Sequence, residues 1–288
     1  MKRCLRCERR FDAAGWRCPG CGFEPEAVLG FPAFAAGLQT ADIGYDASRF
    51  EDLARLEREH FWFTARTRLI VWALRTHFPR AQSLLEIGCG TGNVLGSIGE
   101  AAPTLRLEGS EAHASALAFA RSRAARAALL QMDARRIPYR DEFDVVGAFD
   151  VIEHIEDDDL VLREMYAACS PGGGVIVTVP QHAWLWSYRD EFGRHVRRYS
   201  RPELLRKLRA AGFGRVWATS FVTALLPLMA WSRLRQSAPE RFDASSELDV
   251  GGVANRVLGA VMALERRLIQ AGLSLPAGGS LLAVAHKS

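Results

Sequence analysis

Three groups of residues in this chain have the types and spacing to do chemistry. At the amino terminus, "CLRC" and "CPGC" place Cys4, Cys7, Cys18 and Cys21 as two C-x-x-C pairs with ten residues between them. Each pair makes a tight knuckle offering two thiolates, and four thiolates suit a tetrahedral metal ion with no position left open for a catalytic water. Pro19 and Gly20 favour the turn inside the second knuckle. The second group is "SLLEIGCGTGNV", Ser83 to Val94, an apolar run carrying one acid and ending in three alternating glycines. The third lies in "DVIEHIEDDD", from Asp150, and in "PQHAWLWSYRDEFGRHVRRYSRPELLRKL", from Pro180. There His154, His182 and His195 are candidates for a general base, because imidazole titrates close to neutral pH.

The elements that must position these groups read as an alternation. Strand-like stretches fall at 83–87, 105–108, 128–132, 143–148, 174–179, 215–219 and 281–285, and helical ones at 94–101, 112–125, 157–168 and 201–211. Such alternation predicts an α/β fold with a Rossmann-like, doubly wound sheet. Two further helices are expected before the first strand, from Ser48 and over Thr67 to His77, the latter stopping before Pro79. Ser200 is the expected N-cap of the helix that carries Pro202 in its first turn.

Residues 1–25 then form a small metal-held module, since so short a segment has almost no apolar core to fold on. Residues 26–47 read as a linker, and 48–221 with 280–288 as the α/β domain. Residues 222–279 read as an insertion before the last strand, where Leu225, Leu226, Leu228, Met229 and Trp231 suit a substrate cap, a homodimer contact, a membrane face or plain core.

The glycine loop fits neither common phosphate motif. A dinucleotide fingerprint needs a third glycine where Asn93 stands, and a P-loop needs a lysine, of which none is near. "LLEIGCGTG" instead resembles motif I of the class I S-adenosylmethionine-dependent methyltransferases, and the segments that follow resemble that family's later motifs in order. "LRLEGSE" is similar to its second strand, "QMDARRIPYRDEFDVV" to its third, "FDVVGAFDVIEHI" to its fourth and "CSPGGGVIVTVP" to the turn into its fifth. The amino-terminal cysteines resemble a zinc ribbon.

The resemblance implies a seven-stranded sheet with an antiparallel last strand, S-adenosylmethionine as cofactor and a structural Zn2+ in the ribbon. It implies that Gly88, Cys89, Gly90 and Gly92 let the backbone approach the methionine and ribose parts of the cofactor, with Glu86 near its amino-acid end. Glu111 takes the ribose hydroxyls, in preference to Glu108, and Asp133 and Ala134 take the adenine. Asp150 lies beside the methionine part, and Arg66 reaches the cofactor carboxylate. Cys89 is expected to act only as a small packing residue.

The stretch from Pro180 is too long for a simple connection and reads as an active-site lid. Together with "EREHFWFTAR" it resembles a bacterial subgroup of ubiquinone-type methyltransferases. Trp184, Arg198 and Tyr199, with the three histidines, are the substrate-side candidates; the alternative for Arg194, Arg197 and Arg198 is plain solvated surface charge. The apolar and aromatic character of these segments favours a small or lipid-like acceptor methylated on oxygen or nitrogen. The competing reading is an RNA methyltransferase whose ribbon assists RNA binding. Against it stand a net charge of only +4 over 288 residues and the lack of a basic stripe.

A hydrophobic share of 49% with 24% charged residues excludes a disordered chain. No apolar leader follows Met1, and the most apolar stretch, Phe221 to Trp231, is too short to span a bilayer. A cytoplasmic location without disulfides is the resulting expectation.

Overall fold

The computed structural model describes residues 1–40, 50–235 and 250–288. In chain order the elements are β1 (Lys2–Arg3), β2 (Arg10–Phe11), β3 (Glu26–Val28), β4 (Phe31–Ala33), α1 (Phe50–Glu59), α2 (Phe61–His77), β5 (Ser83–Ile87) and α3 (Asn93–Ala101). There follow β6 (Arg106–Glu111), α4 (Ala114–Arg123), β7 (Ala128–Gln131), β8 (Phe143–Phe149), α5 (Asp158–Ala168), β9 (Cys169–Pro180) and α6 (Tyr188–Phe192). The chain ends with α7 (Arg201–Ala210), β10 (Val216–Phe221), α8 (Leu226–Arg235), α9 (Gly252–Gln270) and β11 (Ser280–His286).

The main sheet runs β10-β11-β9-β8-β5-β6-β7-β4-β3. Its seven expected strands are all present, parallel except for β11, which is antiparallel to both β9 and β10. β5 is buried at every position, as a strand covered on both faces must be. One core layer joins the sheet to α5 and α7 through Val161, Leu162, Leu204 and Leu208. The other joins it to α2, α3, α4 and α9 through Ile70, Leu95, Leu117 and Met262. The chain leaves β5 in one direction through β6 and β7, then returns to β8 on the other side. That reversal opens a crevice at the carboxyl ends of β5 and β8, where ligands bind in such sheets.

The sheet has nine strands rather than seven, because part of the expected linker joins it. Leu29 and Gly30 both take positive φ, a two-residue hairpin turn between β3 and β4. The Gln131 side chain clamps this edge, accepting from Ala35 N at 3.0 Å and donating to Ala35 O at 2.7 Å. A three-residue strand containing Pro32 has too little pattern to be read from sequence. Of the remainder of the expected linker, residues 41–47 lie outside the described residues, as do the first two residues of the helix expected from Ser48.

The cysteine module docks on the connection between β7 and β8. Arg3 N donates to Pro138 O at 2.9 Å, Arg136 donates to Leu5 O at 2.6 Å, and Arg3 pairs with Glu164 at 2.9 Å. Trp16 packs edge-on against Phe34 and Tyr139.

In the segment expected as an insertion, α9 lies along α2, with Asn255 accepting from Phe61 N at 2.8 Å. The buried Glu265 carboxylate accepts from the backbone of Val222, Thr223 and Ala224, stitching the turn after β10. Leu225 and Met229 pack on the core, whereas Leu228 and Trp231 are exposed.

Candidate active site

A cavity of about 520 Å³ occupies the crevice at the carboxyl ends of β5, β6 and β8. Its floor is the glycine turn. Gly88 has φ +66°, and a Cβ there would stand 2.6 Å from a methyl of Val151, so no larger residue fits. Gly90 also has positive φ, but a Cβ there would meet nothing within 4 Å; its open side is the cavity. Gly92 does not line the cavity. It lets α3 and α4 approach, since its Cβ would lie 2.7 Å from Ala120 Cα. Cys89 is a buried wall residue whose thiol burial pushes well above its ordinary pKa, as expected of packing.

The expected cofactor-side residues otherwise converge: Arg66, Glu86, Gly88, Cys89, Gly90, Glu111, Asp133, Ala134 and Asp150 all line this one cavity. Glu111, the last residue of β6, accepts from Gly90 N at 3.0 Å, Ala112 N at 2.7 Å and His113 N at 3.3 Å. Burial raises its pKa and the backbone donors oppose the rise. Glu108 instead points away, bound to Tyr139 and Arg106. Asp133 is held by the Arg135 guanidinium at 2.8 Å and the Arg135 backbone at 2.8 Å.

Glu86 is 2% exposed, and its Oε2 has no hydrogen-bond partner. Burial pushes its carboxyl well above the usual range, Arg66 opposes, and Glu57 and Glu111 add to the rise. A cationic ligand group would relieve that strain, so the site fits a ligand with an ammonium at this end. Arg66 forms an ion pair with Asp150 and stacks its guanidinium over Trp62, 4.7 Å from the ring centroid. Thr178 donates to the same Asp150 oxygen at 3.0 Å.

Helix α1 roofs the cavity with Phe50, Leu53 and Glu57. Arg123 fixes it, reaching Glu57 at 2.5 Å and the glycine-loop hydroxyl of Thr91 at 2.7 Å. The aromatic wall of Trp62 and Phe63, this roof and Asn93 were not singled out from sequence. "EREHFWFTAR" was the available signal for the first two.

The other end of the cavity is built by the turn after β8 and the segment expected as a lid. His154 and His195 line it, with ring centroids 4.7 Å apart in an edge-to-face arrangement. Burial and the neighbouring His195 bring the His154 pKa down to about 4, so His154 is neutral at neutral pH. His195 Nδ1 lies 2.9 Å from Oδ1 of Asp190, which Arg198 also contacts at 2.7 Å. Burial works against ionisation of Asp190, but these two partners outweigh it and hold its pKa at about 2. Asp190 is 1% exposed and also caps α6 through Ser187. Neither Asp190 nor Glu153, a buried acid behind His154, was assigned a role from sequence, because nothing local marks them.

Four expected substrate-side residues are elsewhere, and this is a correction. Tyr199 is fully buried, its hydroxyl donating to Asp158 at 2.7 Å, so it is a core residue. Arg198 turns inward to Asp190 and to Gln181 O and does not line the cavity. Trp184 is 57% exposed on the outer surface, stacked near His182, and neither ring lines the cavity. Among the described residues of 222–279, none lines it either. α8 contacts the lid from outside, where Arg233 donates to Leu185 O at 3.1 Å.

At the amino terminus the four cysteines converge, all four sulfurs lying within 4.8 Å of one another. Sγ of Cys4 is 3.5 Å from that of Cys21, and Cys7 is 3.6 Å from Cys18, too far for disulfides and suited to a shared tetrahedral ion. Backbone N–H groups of Arg6 and Gly20 point at the Cys4 and Cys18 sulfurs at 3.4 Å, the usual support of metal-bound thiolates.

With this geometry in place, residues 54–217, over half of the chain, match the model of a methyltransferase domain. A "Probable S-adenosylmethionine-dependent methyltransferase" of Mycolicibacterium smegmatis is 30% identical over 161 residues, 55% of this chain and 61% of the relative. Trans-aconitate 2-methyltransferase of Variovorax paradoxus is 27% identical over 109 residues, 38% of this chain and 42% of its own. The chain thus spans about three fifths or less of the length of these relatives. Among solved structures, the Haloferax volcanii complex of the Trm112 methyltransferase activator with a methyltransferase gives a TM-score of 0.57 at 17% identity, covering 85% of this chain and 99% of the other. Phosphoethanolamine N-methyltransferase 2 of Haemonchus contortus, bound to S-adenosyl-L-methionine, gives 0.52 at 20% identity, covering 76% and 52%. These two similarities concern the fold. The chain belongs to the class I S-adenosylmethionine-dependent methyltransferases.

Proposed function

We propose that this chain binds S-adenosylmethionine on its glycine turn and transfers the sulfonium methyl to an oxygen or nitrogen of a small or lipid-like molecule. The observation that carries the reading is the cradle itself: Gly90 open to the cavity between Glu86, with an unpartnered buried oxygen, and Glu111 at the end of β6. Glu111 accepts from the ribose hydroxyls with the lone pairs its backbone partners leave free. Glu86 meets the ammonium of the methionine part, while Arg66 meets its carboxylate beside Asp150. Asp133 and Ala134 take the adenine edge.

The bound cofactor supplies an electrophilic methyl group, and the transfer is an in-line displacement in which positioning does most of the work. The acceptor end is a concave cleft with Phe192, His154 and His195 in its wall, which suits a small molecule more than a folded RNA. Small-molecule acceptors also appear in the names of relatives, trans-aconitate and norajmaline among them. The four cysteines bind a structural Zn2+ that folds the amino-terminal module. Two tests follow. Calorimetry should detect S-adenosylhomocysteine binding, lost in Glu111→Ala. Radiolabelled methyl donor, incubated with the chain and an extract of its source, should label the lipid or small-molecule pool; label confined to RNA would overturn the acceptor class.

A further inference from the structure

The lid end of the cavity holds a cluster that methyl-donor binding does not use. Glu153, His154 and His195 each present one ligand atom, and these atoms lie within 4.8 Å of one another. Glu153 is 0% exposed, and neither of its carboxylate oxygens has a hydrogen-bond partner. Nδ1 of His154 is likewise buried without a partner. A carboxylate taken out of water without a partner is costly, and among the described residues no cationic side chain bonds to either oxygen of Glu153, although Arg66 and Arg198 lie near enough to act on it through space. The nearby acids do not share the deficit: Asp150 is paired with Arg66 and Asp190 with Arg198. His195 carries an orienting acid, since its Nδ1 meets Asp190 at 2.9 Å and its Nε2 is left for a ligand. A carboxylate behind an imidazole is the support that fixes the tautomer of a metal-binding histidine.

We propose that Glu153, His154 and His195 bind a divalent transition-metal cation in the wall of the methyl-transfer cavity, and that its open positions take an oxygen of the methyl acceptor. Two imidazoles and one carboxylate suit zinc, iron(II) or manganese better than the all-oxygen preference of calcium or magnesium. Bonds of about 2.1 Å put ligand atoms roughly 3–4 Å apart, so binding draws the cluster together by about 1 Å or less. His195 supplies that movement, as it lies on the half-buried turn after Gly193, while Glu153 is fixed behind the wall. Val196 N donates to Glu153 O at 2.8 Å, which keeps the lid registered on the acid. His154 and His195 line the cavity and Glu153 does not, so the open side of the ion faces the acceptor.

The assignment of those open positions rests on the methyltransferase reading; the metal site itself does not. The test is a titration of the purified full-length chain with Mn2+, without methyl donor, followed by electron paramagnetic resonance of the free ion. Manganese is too hard an ion for the thiolate cluster, so that cluster does not contribute. One saturable Mn2+ per chain is expected, weakened at least tenfold in Glu153→Gln and in His195→Ala, and unchanged in Cys7→Ser. No saturable uptake by the unmodified chain, or equal uptake by both site variants, overturns the proposal. Should Glu153→Gln fail to fold, His195→Ala carries the test from its half-buried position. S-adenosylhomocysteine binding, measured separately, distinguishes the readings: its absence in the unmodified chain counts against the methyltransferase function and leaves the manganese result standing.

Discussion

The two ends of the cavity are built in different ways. The floor of the glycine end is made at the tips of β5 and β6, with Gly88 directly after Ile87 and Glu111 as the last residue of β6, while α1 and α2 add the roof and Arg66. The lid end is made by distant pieces of chain folded onto one another, with Val196 bonded to Glu153 and Gln181 bridged to Tyr199. In that floor backbone conformation and strand position do most of the work, so residue type and order point to it. At the lid end buried ion pairs do the work, and partners far apart in sequence decide which side chains face inward.

The sharpest way to break this contrast is at Gly90. Gly90→Val forces a β-branched side chain into a positive-φ position and fills the open side of the turn. Affinity for S-adenosylhomocysteine should fall by about a hundredfold or more by calorimetry, equivalent to roughly 3 kcal/mol. A fall in thermal stability without loss of affinity would refute the assignment of the turn.

The lid end should answer to pH instead. His154 titrates near 4 in the folded chain against an ordinary 6.5, so between those values the unfolded chain binds a proton that the folded one refuses. Stability of the metal-free chain is therefore full above pH 6.5 and declines as pH drops towards 4, by up to about 3 kcal/mol from this residue. Urea unfolding of the chain and of His154→Asn at both ends of that range should differ in slope with pH by this amount.

Asp190→Asn is expected to act more gently. It weakens the charge-assisted hold on His195 and Arg198 while leaving the donor end alone. Methyl transfer should drop by roughly tenfold or more with S-adenosylhomocysteine affinity unchanged. An equal loss at both ends would mean that the two are not separable. The smallest effect belongs to the cysteine module. Cys18→Ser should unfold residues 1–25 alone. It should also weaken cofactor affinity only a few-fold, because Arg136 loses Leu5 O beside the Asp133 wall. Limited proteolysis and calorimetry check both outcomes, and collapse of the whole domain would contradict a locally folded module.

Much of the chain was legible before its structure. Strand–helix alternation led to the seven core strands because a parallel sheet buried on both faces imposes long apolar runs. The cysteine pairs converge as their spacing implies, since each knuckle is a local object. The β3–β4 hairpin escaped detection because three-residue strands carry no periodicity, and their register depends on the side chain of Gln131, almost a hundred positions away. Tyr199 and Arg198 were misjudged for a related reason. Aromatic and basic residues in a long polar segment suit a substrate site, but their fate turns on Asp158 and Asp190, with which they pair.

The glycine turn, the core strands and the cysteine cluster were legible in the chain itself, because each rests on short-range geometry that a few neighbouring residues impose. Only the tertiary structure decided the lid. The burial of Glu153, the pairing of Asp190 and the withdrawal of Tyr199 depend on which partner each polar group finds once water is removed, and that choice is made by packing between remote segments.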